Sequence, residues 1–250
     1  RLMVVRGDGA LISAELARER PIETILSGPA ASIAGAQWLT GAKDALVSDI
    51  GGTTTDICVL KDGVPKIDPQ GAKVGKYRTM VEAVAMRTFG LGGDSEVSVI
   101  EGLEGGLRLG PRRVMPVSLF ARDYPELAHT AMDRALTLET PSEEATQFVI
   151  AQWERFPEGL DAREAAVASR LRDGPVRWMD AVQSRIEGPA LARLVQQGLV
   201  MISGVTPSDA SHTLGHMADW DTSAAEKALT LFARRRIGSG DRLSSGAEPL

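Results

Sequence analysis

Asp49 and Asp56 bracket a turn of small and hydroxylated residues, Gly51-Gly52-Thr53-Thr54-Thr55, and together these define the chemistry the chain can offer. Glycines lack a Cβ and accept positive φ, so main-chain N–H groups at Gly51 and Gly52 can face an anion at close range. The threonine hydroxyls add further donors. Carboxylates repel a phosphate but hold a divalent cation, or its water shell, through oxygen. Amide donors, hydroxyls and paired acids fit a magnesium-nucleotide phosphate site. In that reading Gly51, Gly52, Thr53 and Thr54 hold phosphate, and Asp49 and Asp56 organise Mg2+. A flexible loop whose threonines merely lead into a strand is the plain alternative.

The neighbouring elements must position this turn. Ala45-Leu46-Val47 and Ile57-Cys58-Val59-Leu60 are short, partly β-branched apolar runs, which predict a hairpin with the turn at its tip. Upstream, Leu2 to Arg6 reads as a strand, Gly7-Asp8-Gly9 as a turn and Ile12 to Glu19 as a helix. A second helix is predicted from Ser27-Gly28-Pro29 toward Leu39, with Ser27 or Gly28 as cap, Pro29 first in the helix and Gly41 as its stop. Its N-terminus attracts anions, although a closely packed helix with an ordinary cap explains the same residues. Downstream, Lys61-Asp62-Gly63 turns the chain into Val64 to Ile67, and Val81 to Phe89 predicts another strand.

That strand delivers a second glycine cluster, Gly90-Leu91-Gly92-Gly93-Asp94-Ser95. A plain turn, the start of a helix and an anion-binding nest all fit it. Glu101 to Pro116 alternates glycines with leucines and predicts small hairpins. From about Tyr124 the pattern is helical: Tyr124 to Leu138, Glu143 to Arg155, Ala162 to Arg172, Val176 to Ile186 and Pro189 to Gln197.

Met201 to Val205 then predicts a strand, and Thr206-Pro207-Ser208-Asp209 a helix start with Thr206 as cap. Asp209, His212 and His216 lie three and four residues apart, so a helix through them presents all three on one face. That spacing permits a second divalent metal. The competing account has Asp209 capping the helix and the histidines facing water or a polar crevice. A last helix is predicted from Ser223 to Arg236, and the Gly/Ser-rich tail beyond Gly238 is expected to be disordered.

These elements divide the chain into an α/β lobe carrying the hairpin over 1–119, a helical insertion over 120–200, a return to the lobe over 201–237 and a flexible tail over 238–250. The 250 residues are 43% hydrophobic, enough for a sizeable core. A net charge of -5 argues against broad nucleic-acid binding, and 4% aromatics against base stacking. No apolar run is long enough to span a bilayer, so a cytoplasmic location is expected, with no membrane partner. The single cysteine, Cys58, excludes a disulfide scaffold and reads as a small core residue. The chain opens Arg-Leu-Met-Val-Val, which reads as a piece of something longer.

Four stretches in order, Pro21–Gly35 (PIETILSGPAASIAG), Ser48–Asp56 (SDIGGTTTD), Phe89–Ser95 (FGLGGDS) and Gly204–Ala210 (GVTPSDA), resemble the hydantoinase/oxoprolinase family. The resemblance implies a subunit of an ATP-dependent hydrolase that opens cyclic amides such as hydantoins and 5-oxoproline, with ketone carboxylases as relatives. It also implies a ribonuclease H-like, actin-like ATPase fold: a mixed sheet with flanking helices, here with the helical insertion. By that analogy Gly51, Gly52 and Thr53 form a second-lobe phosphate loop, and Asp49 positions Mg2+ or the attacking water. Gly92 and Gly93 lie near ribose and phosphates. Implied partners are the N-terminal lobe of the same protein and a second hydantoinase-type subunit.

The sequence departs from the family in showing a single acid-Gly-Gly-Thr loop, a broken glycine run at Gly90–Gly93, and no Gly-Pro-Ala-Cys stretch after Gly110-Pro111-Arg112. A nucleotide-gated actin-like or chaperone-like binding module and a catalytically incomplete structural subunit are therefore the alternatives to an enzyme.

Overall fold

A computed structural model describes residues 2–74, 76–100, 102, 105–142 and 144–247. It is a mixed α/β structure that divides into two compact units, Arg1–Leu91 and Gly92–Leu250. Among the described residues no helix is long and apolar enough to cross a membrane.

The first unit is built on the expected hairpin. Strands Ala45–Ile50 and Thr55–Lys61 pair antiparallel from Ala45↔Leu60 to Ile50↔Thr55. Val64–Pro65 continues the meander on the far end of Thr55–Lys61, and Met86–Phe89 pairs along its other edge. Successive side chains on a strand point to opposite faces. One face supplies Cys58 and Leu60, with Val47 and Met86 beside them, to a core closed by Ala30 and Ile33 of the helix Ser27–Thr40. The other face leaves Leu46, Ile50, Val59 and Phe89 exposed.

Three expectations change here. The Ile12 to Glu19 helix begins only at Ala14, because Leu11–Ser13 pairs with Met3–Val5 and Ser13 becomes the cap, accepting from Leu16 N–H at 3.2 Å. Val81 to Phe89 splits into Ala83–Val84, which pairs with Ile67–Asp68, and Met86–Phe89. The helix Ser27–Thr40 is preceded not by a capping Ser27 or Gly28 but by Leu26 at φ 61, with no side-chain cap. Gly41 stops that helix as expected, at φ 66 with its N–H on Gln37 O.

The second unit has a mixed sheet in the order Met115–Pro116, Val200–Gly204, Phe148–Ala151, Val176–Arg177, with the first pair parallel and the others antiparallel. Phe148 packs with Phe120, Met132 and Phe232 on one side, and its neighbour Val149 with Leu171, Leu194 and Ile202 on the other. Residues 120–200, expected as a helical insertion, therefore hold strands as well as helices. The helix expected from Glu143 to Arg155 is the strand Phe148–Ala151, since an aromatic and β-branched run buried on both faces suits a central strand; Glu143 itself lies outside the described residues.

A single hairpin, Ser95–Val99 with Leu107–Arg113, replaces the small hairpins expected from Glu101, and Glu101, Leu103 and Glu104 lie outside the described residues. Within the tail, Leu243 N–H bonds Arg235 O at 2.8 Å and its side chain packs on the Phe120 cluster, so order extends to that point. Residues 248–250 are outside the description.

Candidate functional site

The hairpin tip is compact. Gly51 N–H donates to Thr54 O at 2.8 Å, which closes the turn and spends one of the amides expected to face an anion. Gly51 does not take the positive φ its type allows, and a Cβ there would meet Thr54 O at an ordinary 3.4 Å. Gly52 N–H has no hydrogen bond among the described residues and stays available at the tip. Thr55, almost fully buried, donates its hydroxyl to Leu91 O at 2.6 Å, anchoring the tip to the chain beyond Phe89.

Below the tip, register brings together what the sequence could only pair. Asp49 stands directly opposite Asp56, and Asp56 directly opposite Thr88 on the third strand. The Thr88 hydroxyl donates to Asp56 Oδ1 at 2.5 Å. This row lies two residues along from Val47, Cys58 and Met86, so it occupies the same, core side of the sheet. Opposed carboxylates on adjacent strands repel. A divalent cation between them would remove that repulsion, with the carboxylates supplying oxygen ligands of the kind such ions take. Cys58, in the next row, is a buried thiol whose pKa burial pushes up; it stays neutral, as expected of a core residue.

The start of the helix Ser27–Thr40 reaches the same end of the sheet. Leu26, Asp68, Ala72, Lys73, Val84, Met86 and Thr88 line one cavity of about 380 Å3. With Leu26 left-handed and no side-chain cap, the first-turn N–H groups of a 14-residue helix lack side-chain partners. Such a helix start favours anions. Thr88, Lys73 and Leu26 were not singled out as site residues from the sequence. Only the pairing of Met86–Phe89 with Thr55–Lys61 reveals Thr88, and that pairing is non-local.

Of the second glycine cluster, Gly90 and Leu91 end the first unit, and Gly92 to Ser95 open the second as a turn. Gly92 N–H donates to Ser95 Oγ at 2.9 Å, and Ser95 N–H returns to Gly92 O at 3.1 Å. Gly93 O accepts from Ser208 N–H at 3.1 Å, and a Cβ on Gly93 would sit 2.8 Å from Ser208 Oγ. A side chain there would force the Ser208 hydroxyl, at the start of the helix Pro207–Thr213, to move.

The Asp209, His212, His216 set is not assembled for a metal. Thr206 caps the helix and Asp209 completes a capping box with it. Fully buried, Asp209 accepts at Oδ1 from Ser118 N–H (2.8 Å) and Ser118 Oγ (2.7 Å). Its Oδ2 accepts from Val117 N–H, Thr206 N–H and Thr206 Oγ1. Burial pushes its pKa up against these bonds. His212 is buried and uses both ring nitrogens: Nδ1 meets Ser208 O at 2.8 Å and Nε2 accepts from Trp220 N–H at 3.2 Å, with the ring stacked on Trp220. The helix ends at Thr213, before Gly215 at φ 73, so His216 is exposed beyond it rather than on the shared face. Among the described residues no three His, Cys, Asp or Glu side chains cluster as metal ligands.

A more voluminous cavity, about 520 Å3, lies in the second unit against Trp178, Gln147 and Arg236. Its wall residues Glu96 and Arg112 are bound to each other. The cavity in the first unit is linked to the paired acids through Thr88, which lines it and donates to Asp56.

Comparison with known proteins gives three findings. A family model described as hydantoinase/oxoprolinase matches residues 1–130. No curated protein matches the chain. Among solved structures there is similarity to a nucleotide-free acetone carboxylase, from work on the mechanism of ATP-dependent acetone carboxylation: 28% identity over 45% of this chain and 16% of that chain, with a TM-score of 0.40. This chain thus spans a small part of that protein's length.

Proposed function

The chain belongs to the hydantoinase/oxoprolinase family, and on that premise we propose that its hairpin end binds the phosphates of Mg-ATP in an enzyme that opens cyclic amides such as hydantoin or 5-oxoproline. The observation that carries this reading is the in-register row Asp49, Asp56, Thr88, set on the core side of the sheet beside a cavity shared with a helix start.

Asp49 and Asp56 hold the cation, with Thr88 fixing the Asp56 carboxylate by its hydrogen bond. Bound Mg2+ neutralises charge on the phosphates during transfer. Gly52 N–H and the Thr53 and Thr54 residues of the tip receive phosphate oxygens. The lactam oxygen attacks the γ-phosphorus and ADP leaves, which makes the ring carbon a better electrophile. Water adds to that carbon, the C–N bond breaks with the proton passing to nitrogen, and inorganic phosphate departs. The contribution of these residues is positioning and charge stabilisation. The remainder of a ribonuclease H-like nucleotide cleft, and the second hydantoinase-type subunit, belong to the same proposal.

The test is a ring-opening assay with the intact protein and its partner subunit, scored for ADP and open-chain product together. Stoichiometric ADP release, abolished by Asp49→Asn with the fold retained, is the expected result. Ring opening without ATP, or full turnover by Asp49→Asn, contradicts it.

A further inference from the structure

We propose that Lys73 is the cation that meets the nucleotide phosphates in the cavity beside Thr88, an assignment that rests on the phosphate-site reading above. Lys73 lines that cavity together with Leu26, at the helix start, and Thr88, which holds Asp56. Two acids and a divalent ion leave a polyphosphate with uncompensated negative charge, so a phosphate site of this kind calls for a basic group on the far side of the metal.

Lys73 is free to be that group. It stands opposite Arg78 in the ribbon Lys73–Val74 with Tyr77–Arg78. Arg78 is already engaged, by Asp68 Oδ2 at 3.2 Å and Gly71 O at 3.2 Å. The acid on the cavity wall, Asp68, is thereby already matched: it accepts Gln70 N–H at 2.9 Å, which holds its carboxyl below the usual range, and Arg78 reinforces this. Among the described residues the Lys73 ammonium makes no ion pair or hydrogen bond. A lysine ammonium on a flexible stem acts as a point charge toward phosphate and needs no fixed fork geometry.

Equilibrium dialysis of the intact protein with labelled Mg-ATP tests the assignment, using Lys73→Gln, Lys73→Arg and, as a control, Lys76→Gln. Lys76 sits over the Tyr77 ring in the same ribbon and does not line the cavity. Circular dichroism verifies that each variant is folded. Lys73→Gln is expected to weaken binding about tenfold, as for loss of one charge-assisted contact. Lys73→Arg should stay within about threefold of wild type and Lys76→Gln unchanged. The Lys73→Gln deficit should also shrink as salt is raised to about 0.5 M. Wild-type affinity in Lys73→Gln, or equal losses in Lys73→Gln and Lys76→Gln, overturns the role of Lys73 and leaves the phosphate site standing. Failure of the wild-type protein to bind Mg-ATP overturns both.

Discussion

Thr88 donates its hydroxyl to Asp56 across a strand pair, at 2.5 Å, and Asp56 in turn faces Asp49 on the next strand. One hydroxyl thus fixes one of two like-charged groups that face each other across a strand pair.

Their repulsion is a measurable cost of the metal-free state. Opposed like charges on neighbouring strands destabilise by about 0.2–1 kcal/mol. Asp49→Asn should therefore raise the thermal midpoint of the protein without magnesium, while losing the further rise that magnesium and nucleotide give the wild type. Differential scanning calorimetry reads both; a lower midpoint for metal-free Asp49→Asn runs against the account.

Thr88 holds an acid in place from the wall of the cavity in this scheme. Thr88→Val removes a hydrogen bond to a charged group, a contact worth about 1.5–3 kcal/mol, and should weaken Mg-ATP binding by roughly tenfold or more. Thr88→Ser should restore most of it. Wild-type binding by Thr88→Val with weakening in Thr88→Ser would show that the methyl group, not the hydroxyl, matters.

The hairpin was legible because its two strands are adjacent in sequence and its apolar alternation is strong; Ala45↔Leu60 through Ile50↔Thr55 follows from the turn length. Thr88 was not, because its place in the row depends on the register of a strand about thirty residues away. Phe148–Ala151 was misread as helix since a short apolar run buried on both faces carries no period. The Asp209, His212, His216 spacing failed for a different reason: the helix supplying the spacing stops at Thr213, and Asp209 and His212 are consumed by internal hydrogen bonds. Side-chain spacing predicts a face only as far as its helix runs.

Asp209 ties the starts of the helices Val117–Asp123 and Pro207–Thr213 to one carboxylate. Asp209→Ala leaves buried donors on both without an acceptor, at about 1–3 kcal/mol each. Chemical denaturation should show a loss of at least about 3 kcal/mol. A loss below about 1 kcal/mol would mean that water or neighbouring groups take over those donors.

Gly93 is limited by Ser208, whose Oγ lies 2.8 Å from where a Cβ would be built. Gly93→Ala should destabilise by about 1–3 kcal/mol through overpacking, and Ser208→Ala in the same chain should recover part of it. Additive effects in that double-mutant cycle would remove the steric explanation.

Glu187 carries an acid-sensitive part of the stability. The hydrogen bond from Arg170, with Gln183 N–H beside it, holds its carboxyl at about 2 against an ordinary 4.5. A folded-state value below the unfolded one means the contribution is present above pH 4.5 and is lost as pH falls toward about 2. The thermal midpoint of wild type should drop across that window more steeply than that of Glu187→Gln; parallel curves would show that the pair contributes nothing.

The most direct test of the central claim is a calorimetric titration of the intact protein with ATP, with and without magnesium, repeated on Asp49→Asn. Saturable binding that requires magnesium in the wild type and disappears in a folded Asp49→Asn variant is the predicted outcome. Absence of binding by the wild type, or identical magnesium-independent isotherms for both proteins, would contradict the claim that the paired acids below the hairpin tip hold a metal-bound polyphosphate.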